Sequence, residues 1–241
     1  MRESNSTSNK EVTEEKYVCD KCKDSGLIET SPGKYRYCEC RELNKVNKSW
    51  RDGGFTLDML QNKTFDNFKE VSHEVSKMKK LAANYSYKFQ NIYKVLENSI
   101  YLAGVPGCGK THIGCAICRN IMEKKYKPVY MPYVESFREI KQHANDEMYD
   151  KLINKYKKAE VLYIDDLLKC SETEADRKIL YEIVNYRYIK HLPLIISSEK
   201  GITYLMNWDQ AIGRRIYEMC GKGKYIKQIN GVENNYSLRE E

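Results

Sequence analysis

Eight residues, Gly104-Val105-Pro106-Gly107-Cys108-Gly109-Lys110-Thr111, stand between a short apolar run over 99–103 and a helical pattern over 110–125. They fit G-x-x-x-x-G-K-[ST], in which glycines let backbone N–H groups close around phosphates and the positive end of the following helix adds attraction. Lys110 has the charge and reach to neutralise β- and γ-phosphates, and the Thr111 hydroxyl suits a Mg²⁺ ligand. Cys108 fills a variable position and His112 begins the helix, so 104–112 is the segment expected to bind a nucleotide.

A second signal closes the apolar run Val161-Leu162-Tyr163-Ile164 with Asp165-Asp166, 55 residues beyond Lys110. A carboxylate at the carboxyl end of a parallel strand faces the ligand crevice. Asp165 is expected to hold Mg²⁺, directly or through water, and Asp166 to polarise an attacking water. The adjacent second acid favours hydrolysis over transfer to another acceptor. An aspartate is shorter than the glutamate usual at that place, which points to slow turnover.

The third signal is Cys19-x2-Cys22, fifteen residues, then Cys38-x-Cys40. Two close thiol pairs across a loop can surround Zn²⁺ tetrahedrally at about 2.3 Å. The segment 17–42 lacks apolar residues for a core, and metal binding of order 10 kcal/mol supplies the missing folding energy. The fourth is Ala211-Ile212-Gly213-Arg214-Arg215-Ile216 near a helix start. In an oligomeric ATPase, an arginine reaching the neighbour's γ-phosphate is worth roughly 10³ to 10⁵ in rate; Arg214 or Arg215 is the candidate. Ser198 and Glu199 end a strand where a polar side chain senses that phosphate.

These residues need a frame to hold them. Apolar spacing from Phe68 through Tyr85 predicts an amphipathic helix over 68–90. Strands are then expected at 99–103, 128–133, 161–164, 194–197 and 225–229, alternating with helices at 110–125, within 134–158, at 173–190 and at 209–220. Strands separated by helices of this length imply right-handed crossovers and a parallel sheet covered on both faces. The expected fold is therefore a three-layer α/β P-loop domain over 68–241, preceded by a polar tail (1–16), a zinc module (17–42) and a connector (43–67) with Gly53-Gly54 as a break.

Composition narrows the setting. No stretch approaches the roughly 18 uncharged apolar residues needed to span a bilayer, and no secretory signal pattern begins the chain, so a cytoplasmic protein is expected. Net charge is +7, and since residues 1–60 hold 11 basic and 11 acidic residues, the whole surplus lies in 61–241. That suits a polyanion such as nucleic acid.

With these motifs assembled, the chain resembles the DnaC/DnaI-type replicative helicase loaders of the AAA+ class, in the IstB-like ATP-binding family, especially their phage-encoded relatives. The likeness covers about 17–239. It rests on Cys19-Asp20-Lys21-Cys22 with Tyr37-Cys38-Glu39-Cys40-Arg41, Thr64-Phe65-Asp66-Asn67-Phe68, Lys110-Thr111-His112, Ile164-Asp165-Asp166-Leu167 and Gly213-Arg214-Arg215-Ile216. The resemblance implies an AAA+ ATPase that binds ATP with Mg²⁺ and contacts single-stranded DNA. It also implies an ATP-dependent homo-oligomer, and a zinc segment that helps contact a hexameric DNA helicase. Loading that helicase during DNA replication is the implied function, with Arg239 as a late nucleotide sensor. Departures are Ser197-Ser198-Glu199, where the family usually closes with Asn, and Ser237 in place of an arginine. Alternatives are a transposition-helper ATPase acting on duplex DNA, a small-molecule kinase with the same loop, and a zinc-bearing DNA-binding protein with a degenerate ATPase.

Overall fold

The computed structural model describes residues 19–23, 25–38, 40, 50–170 and 172–235, which fall in two compact units, Met1–Lys48 and Ser49–Glu241. In the smaller unit, β1 (Leu27–Ser31) and β2 (Lys34–Tyr37) form an antiparallel hairpin. Gly33 turns it with φ +77°, a left-handed conformation that glycine adopts without a Cβ clash. Of the hairpin's apolar side chains, Ile28 packs on a cluster of cysteines. That is too little apolar surface for a core, as the sequence suggests.

The larger unit is built on five parallel strands: β3 (Ile100–Gly104), β4 (Pro128–Pro132), β5 (Val161–Leu167), β6 (Leu194–Ser198) and β7 (Ile226–Ile229). Their order is β4-β5-β6-β3-β7. β3 and β6 are buried throughout, which explains their unbroken apolar reading. Helices α1 (Leu57–Asn62), α2 (His73–Ile92), α3 (Lys110–Glu123), α4 (Tyr133–Gln142), α5 (Met148–Lys157), α6 (Glu174–Ile189), α7 (Ile202–Trp208) and α8 (Gln210–Met219) complete the unit. α3 packs under β5, β6 and β3. The result is the expected three-layer α/β arrangement, with both chemical loops at the carboxyl edge of the sheet.

β5 runs to Leu167, beyond the expected 161–164, so Asp165 and Asp166 lie within it, and three further places differ from the sequence reading. α2 begins at His73, not Phe68, because the Ser72 hydroxyl caps it by accepting from Val75 N, and Phe68 and Val71 lie ahead of it. The pattern within 134–158 is two helices, parted at 143–147, where Asp146 accepts from Met148 N and lies 2.8 Å from His143 Nδ1. Residues 50–67, read as connector, belong to the larger unit: Trp50 and Phe55 are buried in its core, and Gly53 O accepts from Tyr130 N at 2.7 Å. Two isolated aromatics in a polar run carry no periodicity, so sequence patterning missed them.

One buried cation braces the opposite edge. Arg187, fully buried on α6, donates to the carbonyls of Tyr156, Lys157, Ala159 and Pro193 at 2.7 to 3.2 Å. Burial lowers its pKa to about 9, so it remains charged at neutral pH.

Candidate nucleotide site and cysteine cluster

The loop after β3 depends on two glycines. Gly107 has φ +75° and Gly109, the N-cap of α3, φ +89°. A Cβ on Gly109 would lie 2.5 Å from Phe68, and one on Gly107 would collide with the Asn235 side chain. Lys110 is buried, and its ammonium donates to Gly104 O at 2.8 Å and Val105 O at 3.0 Å. Among the described residues no carboxylate pairs with it. A buried ammonium met only by neutral carbonyls at a helix N-terminus is a strong attractor for phosphate.

Across the crevice, Thr111 Oγ1 donates to Asp165 Oδ1 at 3.0 Å. Three hydroxyls missed by sequence reasoning converge on the same carboxylate: Tyr163 at 2.6 Å, Tyr130 at 3.0 Å, and Ser197 in a short contact. Tyr163 precedes Asp165 by two residues on β5 and so shares its face, Tyr130 pairs with it in register, and Gly114 leaves room for its phenol. That period of two is the signal that could have found it. Burial first, then the charge of Asp165, pushes both phenols up, so they stay protonated donors.

Asp166 follows in a left-handed conformation, φ +57°, unusual for a residue with a Cβ, and its N–H donates to Ser197 Oγ at 3.0 Å. Its carboxylate receives Lys169 Nζ at 2.7 Å, and the same ammonium lies 3.6 Å from Glu199. The hydrogen bond to Asp166 holds the lysine's pKa above its usual value. Ser198 does not face the phosphate loop freely: its hydroxyl donates to Leu167 O and accepts from Lys200 N.

Beside the loop, Asn67, Phe68, Lys69, Val71, Val75, 107–109 and His112 line a mainly apolar pocket of about 230 Å³. His112 Nε2 lies 2.8 Å from Thr64 O and 3.1 Å from Asn67 Oδ1, and burial lowers its pKa. The Thr64-to-Phe68 signature therefore builds a pocket wall, and His112 ties that wall to α3. The chain returns over the loop after β7, where Asn234 accepts from Ser72 and Asn235 lies against Gly107. Arg239 lies outside the described residues.

Residues 56–217 match the family described as IstB-like ATP binding protein. The chain belongs to this family. Phage-like element PBSX protein XkdC of Bacillus subtilis (strain 168) is 33% identical over 238 residues, covering 92% of this chain and 87% of its own. The replicative helicase loader DnaI of the same strain is 31% identical over 41% of this chain and 32% of its own. Among solved structures, the DnaC helicase loader superposes with a TM-score of 0.60 at 18% identity, covering 70% of this chain and 97% of that one. That likeness shows the fold, a parallel α/β sheet with a phosphate loop at its carboxyl edge.

In this IstB-like protein the two arginines of α8 are not equivalent. Arg214 is exposed and lies 3.3 Å from Glu218. Arg215 lies over the Tyr181 and Tyr188 rings, 5.3 and 5.6 Å from their centroids, and donates to Ala211 O. No hydrogen bond or ion pair among the described residues joins either to the phosphate loop. Arg214→Ala is expected to lower oligomer-dependent hydrolysis by roughly 10³ with single-protomer ATP affinity unchanged. Arg215→Ala should instead cost about 1 kcal/mol of stability. Hydrolysis against protein concentration, with thermal melts, separates them.

The IstB-like match leaves out the cysteine unit, which stands on its own geometry. The sulfurs of Cys19, Cys22, Cys38 and Cys40 all lie within 4.8 Å of one another, with Cys19 to Cys38 at 3.8 Å and Cys22 to Cys40 at 3.2 Å. Sulfurs around tetrahedral Zn²⁺ are about 3.8 Å apart, so the donor set fits that ion. The hydrogen bond between Cys22 and Cys40 lowers the Cys22 thiol to about 7 and pushes the Cys40 thiol up, as one proton shared by two sulfurs would. The other five cysteines form no such group among the described residues.

Proposed function

We propose that this protein is an ATP-dependent loader of a hexameric replicative helicase onto single-stranded DNA, with ATP binding and hydrolysis acting as the assembly switch. The observation that carries the reading is the joint placement of buried Lys110, the Thr111–Asp165 bond and the apolar pocket at one strand edge. In this reading a purine occupies the pocket, Lys110 meets the β- and γ-phosphates, and Asp166 orients water. Thr111 and Asp165 would hold Mg²⁺, which would supply charge neutralisation for the phosphates. Arg214 enters the adjoining protomer's site, and Glu199 and Arg239 respond to the γ-phosphate. Lys169 must release Asp166 before it can act as a base, consistent with turnover that is slow until partners stimulate it.

The four cysteines hold Zn²⁺ and shape the unit that touches the helicase. No described helix is long and apolar enough to cross a membrane, and a cytoplasmic setting is part of the proposal. A second reading, a transposition helper on duplex DNA, draws on the IstB-like family description; the cysteine unit weighs for the loader. Affinity capture from the native host, with and without ATP, decides between them. Retention of a hexameric helicase supports the loader, and retention of a transposase in its place overturns it.

A further inference from the structure

The five parallel strands divide the surface into two edges of opposite character. The connections leading into them, 93–99, 124–127, 158–160, 190–193 and 220–225, hold eight lysines and two glutamates, 8 minus 2 or a surplus of six. The connections at the nucleotide edge, 105–109, 168–173, 199–201 and 230–235, hold two lysines and three glutamates. The rest of the chain, with 33 basic and 32 acidic residues, nearly balances, 41 minus 8 against 34 minus 2.

Of these lysines, Lys94, Lys125, Lys127, Lys158, Lys190, Lys222 and Lys224 are exposed, and none has an ion-pair partner among the described residues. Of the two acids, Glu160 is engaged, accepting from Lys127 N at 2.7 Å. Lysines near helix C-termini also favour the helix dipole, but the backbone says more. Lys125 has φ +69° and Lys222 φ +52°, left-handed positions after a helix where glycine is the residue without strain. The chain keeps lysine there at a conformational cost. Beside Lys124, whose ammonium lies 5.8 Å from its ring, Tyr87 is 80% exposed, a side chain suited to stack on an unpaired base.

We propose that this edge is the binding surface for the phosphate backbone of single-stranded DNA, a partner for which the inference rests on the loader reading. In strand order the row runs Lys125 and Lys127, Lys158, Lys190, Lys94, then Lys222 and Lys224. Four gaps of roughly 4.8 Å make the strand ends about 19 Å wide, enough for several consecutive phosphates. The DNA track and the ATP site then occupy opposite edges of one sheet.

Anisotropy of a labelled oligothymidylate, titrated without nucleotide across a salt series, tests the assignment on the full chain. Lys125→Gln/Lys158→Gln/Lys190→Gln is expected to raise Kd at least about tenfold and flatten the log–log salt slope by about 2. A charge-matched control, Lys80→Gln/Lys151→Gln/Lys178→Gln, should stay within roughly twofold of wild type, and both sets should melt and bind ATP as wild type does. Equal weakening by the two sets, no effect of the edge set, or wild-type binding to phosphatidylglycerol vesicles but not DNA would overturn it. Lys110→Ala should bind the oligonucleotide normally, so a failed ATP switch is distinguishable from a failed DNA edge.

Discussion

Lys110→Ala is expected to weaken ATP binding at least about 100-fold and to abolish ATP-dependent helicase deposition, while the cysteine unit still binds helicase. The alanine removes the one cation in the 104–112 loop, and a methyl group cannot replace its charge-assisted bonds to phosphate oxygens. The fold should survive, because the lost bonds run to Gly104 and Val105 carbonyls at the rim of the site. Calorimetry with ATP and Mg²⁺, paired with a helicase-loading assay, reads both effects. Loading by the mutant at the wild-type level would sink the mechanism.

The second large effect is confined to the other unit. Cys22→Ser or Cys38→Ser, or a strong zinc chelator, is expected to unfold residues 19–40 and release one Zn²⁺ per chain. Among the described residues Ile28 is the one non-cysteine apolar side chain packed on the cluster, and about 10 kcal/mol or more of metal binding has no substitute in so small a hairpin. ATP affinity should not change, since the nucleotide site lies wholly in the larger unit. Metal analysis and backbone NMR of the full chain are the measurements. A hairpin that stays folded with no metal bound would contradict the zinc assignment.

What could be seen in the sequence were features with strong local physics. The phosphate loop is a fixed spacing of glycines and one lysine. The buried strands are unbroken apolar runs, and the acid pair Asp165-Asp166, unremarkable by itself after four apolar residues, gains its meaning from standing 55 residues beyond the lysine of the phosphate loop. What stayed hidden depends on distant pairing. Tyr130 and Ser197 reach Asp165 only because β4, β5 and β6 are neighbours in a particular register. Trp50 and Phe55 read as part of a connector because nothing in their surroundings announces the edge strand they cover. Arg214 and Arg215 look interchangeable as a dipeptide; the tyrosines that sequester one of them lie on α6, in another part of the chain.

Arg187 carries a consequence for any genetic dissection of the lysine row. Its guanidinium gathers carbonyls from the segments entering β5 and β6, from which Lys158 and Lys190 project. Losing it would let those segments drift and take the donor from the buried carbonyls of Tyr156 and Ala159. A screen for strains defective in DNA attachment should therefore recover this residue, although it never meets a phosphate. Its signature would be a lowered melting temperature at unaltered surface charge, the mark of a scaffold lesion masquerading as a contact mutant.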